Sequence, residues 1–399
     1  MKRRIWIISE LFFPNESATA YILTEMAKAF TSIFEVNVIC ADTNYEKDDN
    51  RVSGDNNQKT ISGINIQRVN IPEFDKNSLL KRILRNYSVS KILYHQALKH
   101  VQSGDIVFAV TNPAPLLLDL KKLKKKRTIE YILLVHDVFP ENALASGVIH
   151  SSLIYNIFKR MYNKAYAAAD RIIVLGQDMK EVISSKIGSS DKVFVCENWG
   201  EESINPSDRL LDGKIVLQYA GNIGRVQGLD KILSVSAKVN NKAIIFDFWG
   251  SGALVPYIRR YVTENSISNV RIRGSYNRGI QNEVLNDCNI AIVSLAKGMK
   301  GLGVPSKTYN ILAAGKPILY IGDKGSEIYN LVKDNDLGVV FEWEQIEEFT
   351  EWINSLTIND LIELQEKGKR ARILFENRYT QDLILQKTLD IICGERVSI

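Results

Sequence analysis

Cysteine is scarce: four thiols in 399 residues, Cys40, Cys196, Cys288 and Cys393, with no C-x-x-C pair among them. That excludes a disulfide framework and a cysteine-rich zinc module, and it predicts buried thiols in a reducing compartment. Histidine is equally sparse, and His95, His100, His136 and His150 lack metalloprotease spacing. No apolar run approaches the roughly 20 residues that a membrane-spanning helix needs. The opening Met1-Lys-Arg-Arg-Ile-Trp-Ile-Ile-Ser has a basic end and an apolar centre, but Glu10 and Pro14 cut it short and no small-residue cleavage site follows. The expectation is a first β-strand and a cytoplasmic protein. Low-complexity tracts and short-period repeats are absent.

What is present is an ordinary globular composition, 45% hydrophobic and 24% charged. The length suits two domains of roughly 200 residues each. Charge is uneven: residues 1–200 carry 27 Lys+Arg against 21 Asp+Glu, and residues 201–399 carry 24 against 25. The excess sits in Lys121, Lys122, Lys124, Lys125, Lys126 and Arg127, with Lys81, Arg82 and Arg85 upstream. Such a run is ordinarily a solvated helix end. Its functional reading is contact with an anionic membrane surface or a lipid pyrophosphate. Nucleic acid is disfavoured, because no aromatic residues interleave the run and no nucleic-acid motif accompanies it.

Short β-branched apolar runs alternate with longer amphipathic ones, the grammar of a parallel sheet covered by helices. It runs once through residues 1–200 and restarts at Ile215. The polar segment Asn198 to Gly213 is the expected link, and Asp42 to Asn57 is an expected loop. Two Rossmann-like α/β halves would present a ligand cleft at facing strand ends. The boundaries are set at 1–200 for the first domain, 201–380 for the second, and 381–399 for a last helix returning to the first.

The stretch Gly301-Leu-Gly-Val-Pro-Ser-Lys-Thr-Tyr-Asn-Ile-Leu-Ala-Ala-Gly-Lys-Pro317 is the most informative. A glycine turn opens a helix expected from Ser306 to Ala314, with Lys307 at its start, Gly315 as the C-cap and Pro317 forbidding continuation. Free backbone N–H groups and a lysine at a helix start suit a phosphate, although an ordinary βα turn with a surface lysine has the same spelling. Tyr219-Ala-Gly-Asn-Ile-Gly-Arg-Val-Gln-Gly-Leu-Asp-Lys231 places Gly221, Gly224 and Gly228 in a second close-approach loop, with Arg225 inside it.

Together these segments resemble the donor site of family 4 glycosyltransferases, retaining enzymes of GT-B architecture. The similarity is to a bacterial polysaccharide (O-antigen or capsule) branch reading V-P-S-K-x-x-E-Y-M-A-x-G-x-P and G-N-x-G-x-x-Q-G-L. The matches are Val304-Pro305-Ser306-Lys307, Ala313-x-Gly315 and Pro317, then Gly221, Asn222, Gly224 and Gln227-Gly228-Leu229. Two departures stand out: Asn310 replaces the signature glutamate, and Leu302 occupies the position of its partner eight residues earlier. Asn222 and Gln227 stand where many relatives carry Arg and Lys, so the resemblance leaves the diphosphate charge to Arg225 and Lys307. It also places Gly250, from the turn Phe246-Asp-Phe-Trp-Gly-Ser-Gly252, beneath the nucleotide, and Tyr276 near its base.

In the first half, His136 and Asp137 end a buried strand in Tyr131-Ile-Leu-Leu-Val-His-Asp-Val-Phe-Pro-Glu141. By the resemblance they are the catalytic candidates, with His136 touching the transferred sugar and Glu141 nearer the acceptor. Ser17 and Thr19 hold the acceptor-loop position, where helix capping explains them equally well. Asp334-Asn-Asp336 spells D-x-D but falls in a polar turn, and Ser326 reads as a helix N-cap. No metal is expected, since Arg225, Lys307 and helix N-termini could stabilise a leaving diphosphate.

The resemblance implies a metal-independent hexosyl or N-acetylhexosaminyl transfer from a nucleotide-sugar, of UDP type, to a polyprenyl-pyrophosphate-linked saccharide. It places the protein at the inner face of the plasma membrane. Two alternatives remain open in the sequence: a sugar-nucleotide 2-epimerase-like isomerase, and a non-catalytic nucleotide-sugar-binding partner of another transferase.

Overall fold

The computed structural model describes residues 2–15, 17–42, 61–72, 79–207 and 213–395. The segment expected as a loop, Asp42 to Asn57, lies outside the described residues from position 43 onward, as does part of the expected link.

The chain divides into two compact units. The first takes residues up to Leu175, then Met179–Cys196, then the chain from Leu385; the second takes Gly176–Asp178 and Glu197–Ile384. In the first, β1 (Arg4–Ile8), β2 (Glu35–Ala41), β3 (Ile64–Val69), β4 (Ile106–Val110), β5 (Glu130–Val135), β6 (Arg171–Val174) and β7 (Val193–Val195) form a parallel sheet in the order 3-2-1-4-5-6-7. In the second, β8 (Ile215–Ala220), β9 (Ile244–Trp249), β10 (Val270–Ile272), β11 (Ile290–Ser294), β12 (Ile318–Ile321) and β13 (Gly338–Phe341) are ordered 10-9-8-11-12-13, again all parallel. The fold is α/β, two Rossmann-like units of the GT-B kind.

Helices on both faces bury these strands, which is why β4 (Ile-Val-Phe-Ala-Val) and β8 (Ile-Val-Leu-Gln-Tyr-Ala) are buried at every position. The polar exception, Gln218, is satisfied by donating from Nε2 to the Val284 carbonyl at 2.8 Å. In each sheet the strand order reverses beside the first strand, between β1 and β4 and between β8 and β11. The loops leaving β8 and β11 therefore flank the switch point where open α/β sheets bind ligands.

On the first unit, the helix Leu79–His100 packs beside Leu116–Lys126, which packs beside Ser152–Tyr166. Buried Asp119 ties the first two together, accepting from Ser90 Oγ at 2.8 Å, Lys91 Nζ at 2.6 Å and Lys122 Nζ at 3.0 Å. The Leu116–Lys126 helix begins just after Pro113 and Pro115, with Pro115 at the N-cap, so the prolines sit outside it. Three thiols are buried as expected, but Cys393 is exposed because it ends the last helix, Gln381–Cys393, just before left-handed Gly394.

Candidate functional site

The loop after β8 is folded onto the loop after β9. Gly221 N–H donates to the Trp249 carbonyl at 2.9 Å, and Ile223 N–H donates to Ser251 O at 2.8 Å. This close approach needs Gly250: it has φ +137°, and a Cβ there would stand 1.9 Å from the Gly221 carbonyl oxygen. Arg225 opens a short 3-10 turn, Arg225–Gln227, and is exposed. Gln227 is half-buried, its Oε1 buried without a partner, while its carbonyl accepts from Ser294 Oγ at 2.7 Å and joins this loop to the end of β11. Asn222 is exposed, and its carbonyl accepts from the Tyr219 hydroxyl at 2.7 Å.

The second loop reaches the same place. Gly301 N–H donates to buried Asp178 Oδ2 at 3.0 Å, and Val304, Pro305 and Ser306 lead half-buried into the helix Lys307–Ala313. That helix starts one residue later than expected, so Lys307 is its first residue. Ser306 takes the N-cap position without a side-chain cap bond. Lys307 does not project to the surface. Its Nζ lies 3.1 Å from the centroid of the Tyr219 ring and meets no hydrogen-bond partner, and a Cβ on Gly221 would be 3.6 Å from it. Part of the side chain remains accessible, but the amine itself is buried. Desolvation holds its pKa well below the ordinary lysine value. An amine taken out of water without a carboxylate is a costly arrangement that an incoming anion would satisfy.

Asn310, which stands where the resemblance has a glutamate, accepts at Oδ1 from the backbone N–H of Glu201 at 2.9 Å, which leaves the amide NH2 to meet a ligand. Glu201 pairs with Arg278 and raises the pKa of nearby Tyr276, which burial chiefly pushes up to about 12. Tyr276 stands edge-on to Trp249 with centroids 6.1 Å apart, and the Arg273 guanidinium lies 5.3 Å over the Trp249 ring. Arg273 is held in place by Asp247 at 3.2 Å. Trp249 and Arg273 form an aromatic-cationic wall beside Gly250. Sequence reading missed both, and the only available signal was their position at strand ends flanking the predicted turn.

Leu302, at the first signature-glutamate position, is a buried core side chain. Ser326 occupies an N-cap, as read from sequence, but its hydroxyl is bonded to the Tyr320 hydroxyl at 2.7 Å. The capping acceptor for Glu327 N–H is Asp178 Oδ2 at 3.0 Å. Asp336 of the D-x-D spelling is held by Lys367 and Arg370. Among the described residues no group of three or more His, Cys, Asp or Glu is placed to hold a metal ion.

In the first unit, the tip of β5 is fixed by Thr111, whose Oγ1 accepts from the backbone N–H of His136 and of Asp137, each at 3.2 Å. His136 is half-buried with Nε2 unpartnered, and burial lowers its pKa to about 4, so the ring is neutral at ordinary pH. Asp137 is exposed and accepts from Asn142 Nδ2 at 2.8 Å. Glu141 is engaged within the fold: buried Lys186 donates to both its carboxylate oxygens, at 2.6 and 2.7 Å, and the Tyr155 hydroxyl reaches it at 3.3 Å. Ser17 caps the helix Ala18–Phe30, accepting from Ala20 N–H at 3.3 Å, and Thr19 is half-buried in the first turn.

Comparison with known proteins gives a consistent picture. The family model described as Glycosyltransferase Family 4 matches residues 20–199. The chain is 31% identical over 350 residues to the probable glycosyltransferase WbjE of Pseudomonas aeruginosa, covering 84% of each. It is 21% identical over 339 residues to the putative colanic acid biosynthesis glycosyl transferase WcaI of Escherichia coli K12, covering 79% of this chain and 81% of that one. Among solved structures, Anabaena HepE in complex with UDP and glucose superposes with a TM-score of 0.71 at 13% identity, covering 98% of this chain and 100% of that one.

Proposed function

For a chain that belongs to glycosyltransferase family 4, we propose a retaining, metal-independent transfer from a UDP-sugar to a polyprenyl-pyrophosphate-linked saccharide in cell-surface polysaccharide synthesis. The observation that carries this reading is the buried, unpartnered amine of Lys307, lodged between Tyr219 and the Gly221 loop. A diphosphate placed there would supply the missing anion and draw a proton onto the amine. Exposed Arg225 and the free N–H groups of the loop would share the rest of the leaving-group charge. The wall of Trp249, Arg273 and Tyr276 suits a flat base. HepE carries UDP and glucose in its structure, and the name of WcaI places it in colanic acid synthesis; both favour this donor class and pathway type.

On this reading His136, neutral and with Nε2 unsatisfied, offers a hydrogen bond to a sugar hydroxyl, and Asp137 lies beside it. Ser17, Thr19 and Glu141 remain acceptor-side candidates, with Glu141 acting mainly to fix Lys186. The run Lys121–Arg127 gives attachment to the anionic inner face of the plasma membrane. The leaving phosphate oxygen would take the proton of the attacking hydroxyl, as front-face retention requires.

The test is incubation with labelled UDP-sugars, with and without a polyprenyl-pyrophosphate saccharide, reading product anomeric configuration by NMR with and without a chelator. Acceptor-dependent product with the donor's anomeric configuration, unaffected by chelation, is the expected result. Conversion of donor alone would instead favour the isomerase. Donor binding without turnover on any acceptor would favour the non-catalytic partner suggested by Leu302 and Asn310.

A further inference from the structure

The helix Ser152–Tyr166 buries only one side. Tyr162, Ala165 and Tyr166 pack inward, whereas Leu153, Ile154, Ile157 and Met161 are 69%, 49%, 50% and 42% exposed. Leu153, Ile157 and Met161 are spaced four apart and Ile154 lies beside them, so the four share an apolar arc of about 100° on the outward side. Its neighbour across Leu116–Lys126, the helix Leu79–His100, exposes Ile83, Leu84 and Tyr87 by 51%, 61% and 55%. Scattered surface leucines need no explanation, but seven large apolar side chains on helices of one packed layer do.

The unpaired charges around the arc all have one sign. Lys159, Arg160 and Lys164 lie on the same helix, and Lys121 and Lys125 lie on its neighbour. None of these five makes an ion pair among the described residues, although Lys122 and Lys124 do. Lys121 stands near enough to Lys125 and Lys164 for their charges to lower its pKa, after desolvation. Positive charge has been gathered here in excess of the carboxylates, Asp119 and Asp170, which are taken up by Lys91, Lys122 and Lys124. A second copy of this chain would bring the same unmatched cations against it, since a two-fold interface pairs a patch with itself. An anionic lipid surface satisfies both features at once, taking the apolar arc into the acyl boundary and the cations among the headgroups.

We propose that the helix Ser152–Tyr166 lies in the plane of an anionic bilayer with Leu153, Ile154, Ile157 and Met161 inserted, and with Lys121, Lys125, Arg160 and Lys164 at headgroup level. This deepens the membrane reading of Lys121–Arg127 and rests on it, adding an insertion that a purely electrostatic contact lacks. The basic cluster brings the chain to the surface, and the apolar arc retains it at salt concentrations that screen the charges.

The experiment is flotation of the full chain with vesicles of phosphatidylcholine alone, or mixed with phosphatidylglycerol. The variants are Leu153→Ser/Ile157→Ser and Lys125→Glu/Lys126→Glu. A separate Ile157→Cys variant in a Cys393→Ser background carries an environment-sensitive dye, since the other three thiols are buried. The wild type should bind the mixed vesicles. The serine pair should weaken binding by roughly ten-fold per side chain, the glutamate pair by roughly five-fold or more per charge, and the dye should shift to the blue. All these side chains are exposed, so an unchanged thermal melt will confirm that the variants fold. Equal binding by the serine pair with an unshifted dye overturns insertion while leaving the electrostatic membrane reading intact. Absence of vesicle binding overturns both, with or without self-association. None of these outcomes touches nucleotide binding, so the donor-site reading stands or falls separately.

Discussion

Replacing Lys307 by Met removes the charge while preserving most of the side-chain length, and it isolates what the buried amine does. In the free protein the amine has no hydrogen-bond partner, and desolvation already disfavours its charged form. Removing it therefore deletes no interaction with an anion, and the thermal midpoint should hold or rise. With a nucleoside diphosphate in place the amine would form a charge-assisted hydrogen bond, worth about 1.5–3 kcal/mol. The variant should then bind UDP roughly ten- to a hundred-fold more weakly, and it should bind uridine as the wild type does, since uridine brings no phosphate. Calorimetry adds a sign. Because the folded pKa is depressed, the free protein carries fewer protons at this site than the unfolded chain, so binding an anion should take up a proton. That uptake appears as a dependence of the heat on buffer ionisation enthalpy, absent in Lys307→Met. The same depression makes wild-type stability rise with pH through the window between the depressed value and that of a free lysine, and the variant should lack this rise. Equal weakening for UDP and uridine, or none for either, refutes the reasoning.

Gly250→Ala sets a methyl 1.9 Å from the Gly221 carbonyl at a left-handed φ; it should destabilise the second unit by several kcal/mol and abolish nucleotide binding, both visible in a thermal-shift assay. Lys186→Met strands the Glu141 carboxylate in a mostly buried site, and chemical denaturation should show a loss of about 3–5 kcal/mol. Asn310→Glu sets a carboxylate beside Glu201, replaces the acceptor of the Glu201 N–H and adds like-charge repulsion; UDP affinity should fall a few-fold unless Arg278 re-pairs, and adding Glu201→Gln should recover it. His136→Asn should lower kcat with little change in nucleotide Kd. The wild-type rate profile should show no limb near pH 6.5 from this ring, because burial has moved its titration to about 4.

The parallel sheets were legible because strands buried on both faces must be continuously apolar, and β4, β5, β8 and β11 are such runs. The glycine loops and Lys307 were legible as well, since a close approach of backbone requires glycine and a helix start marks itself. The fate of the Lys307 amine was not. A lysine at a helix start reads as a surface charge, and only the fold brings Tyr219, nearly ninety residues earlier, beneath it. The same holds for Asn310 and Glu201, and for Asp178 capping Glu327. The outward arc on Ser152–Tyr166 was hidden for another reason: amphipathic periodicity reports two faces without saying that one of them stays uncovered.

The chain's division into units bears on how such proteins diversify. The second unit takes in Gly176–Asp178 from upstream, and the last helix changes membership at Leu385. Neither unit is one continuous stretch of the gene. A recombination that exchanged everything after Cys196 for a different second half would carry off the helix segment whose Thr388 hydroxyl meets the Cys196 thiol at 3.4 Å. It would also bring Gln177 and Asp178 into contact with a turn they never evolved to cap. On the proposed reading, donor specificity should therefore drift by point substitution around the β8 and β11 loops more readily than by wholesale exchange. A designed chimera will need four seams rather than one.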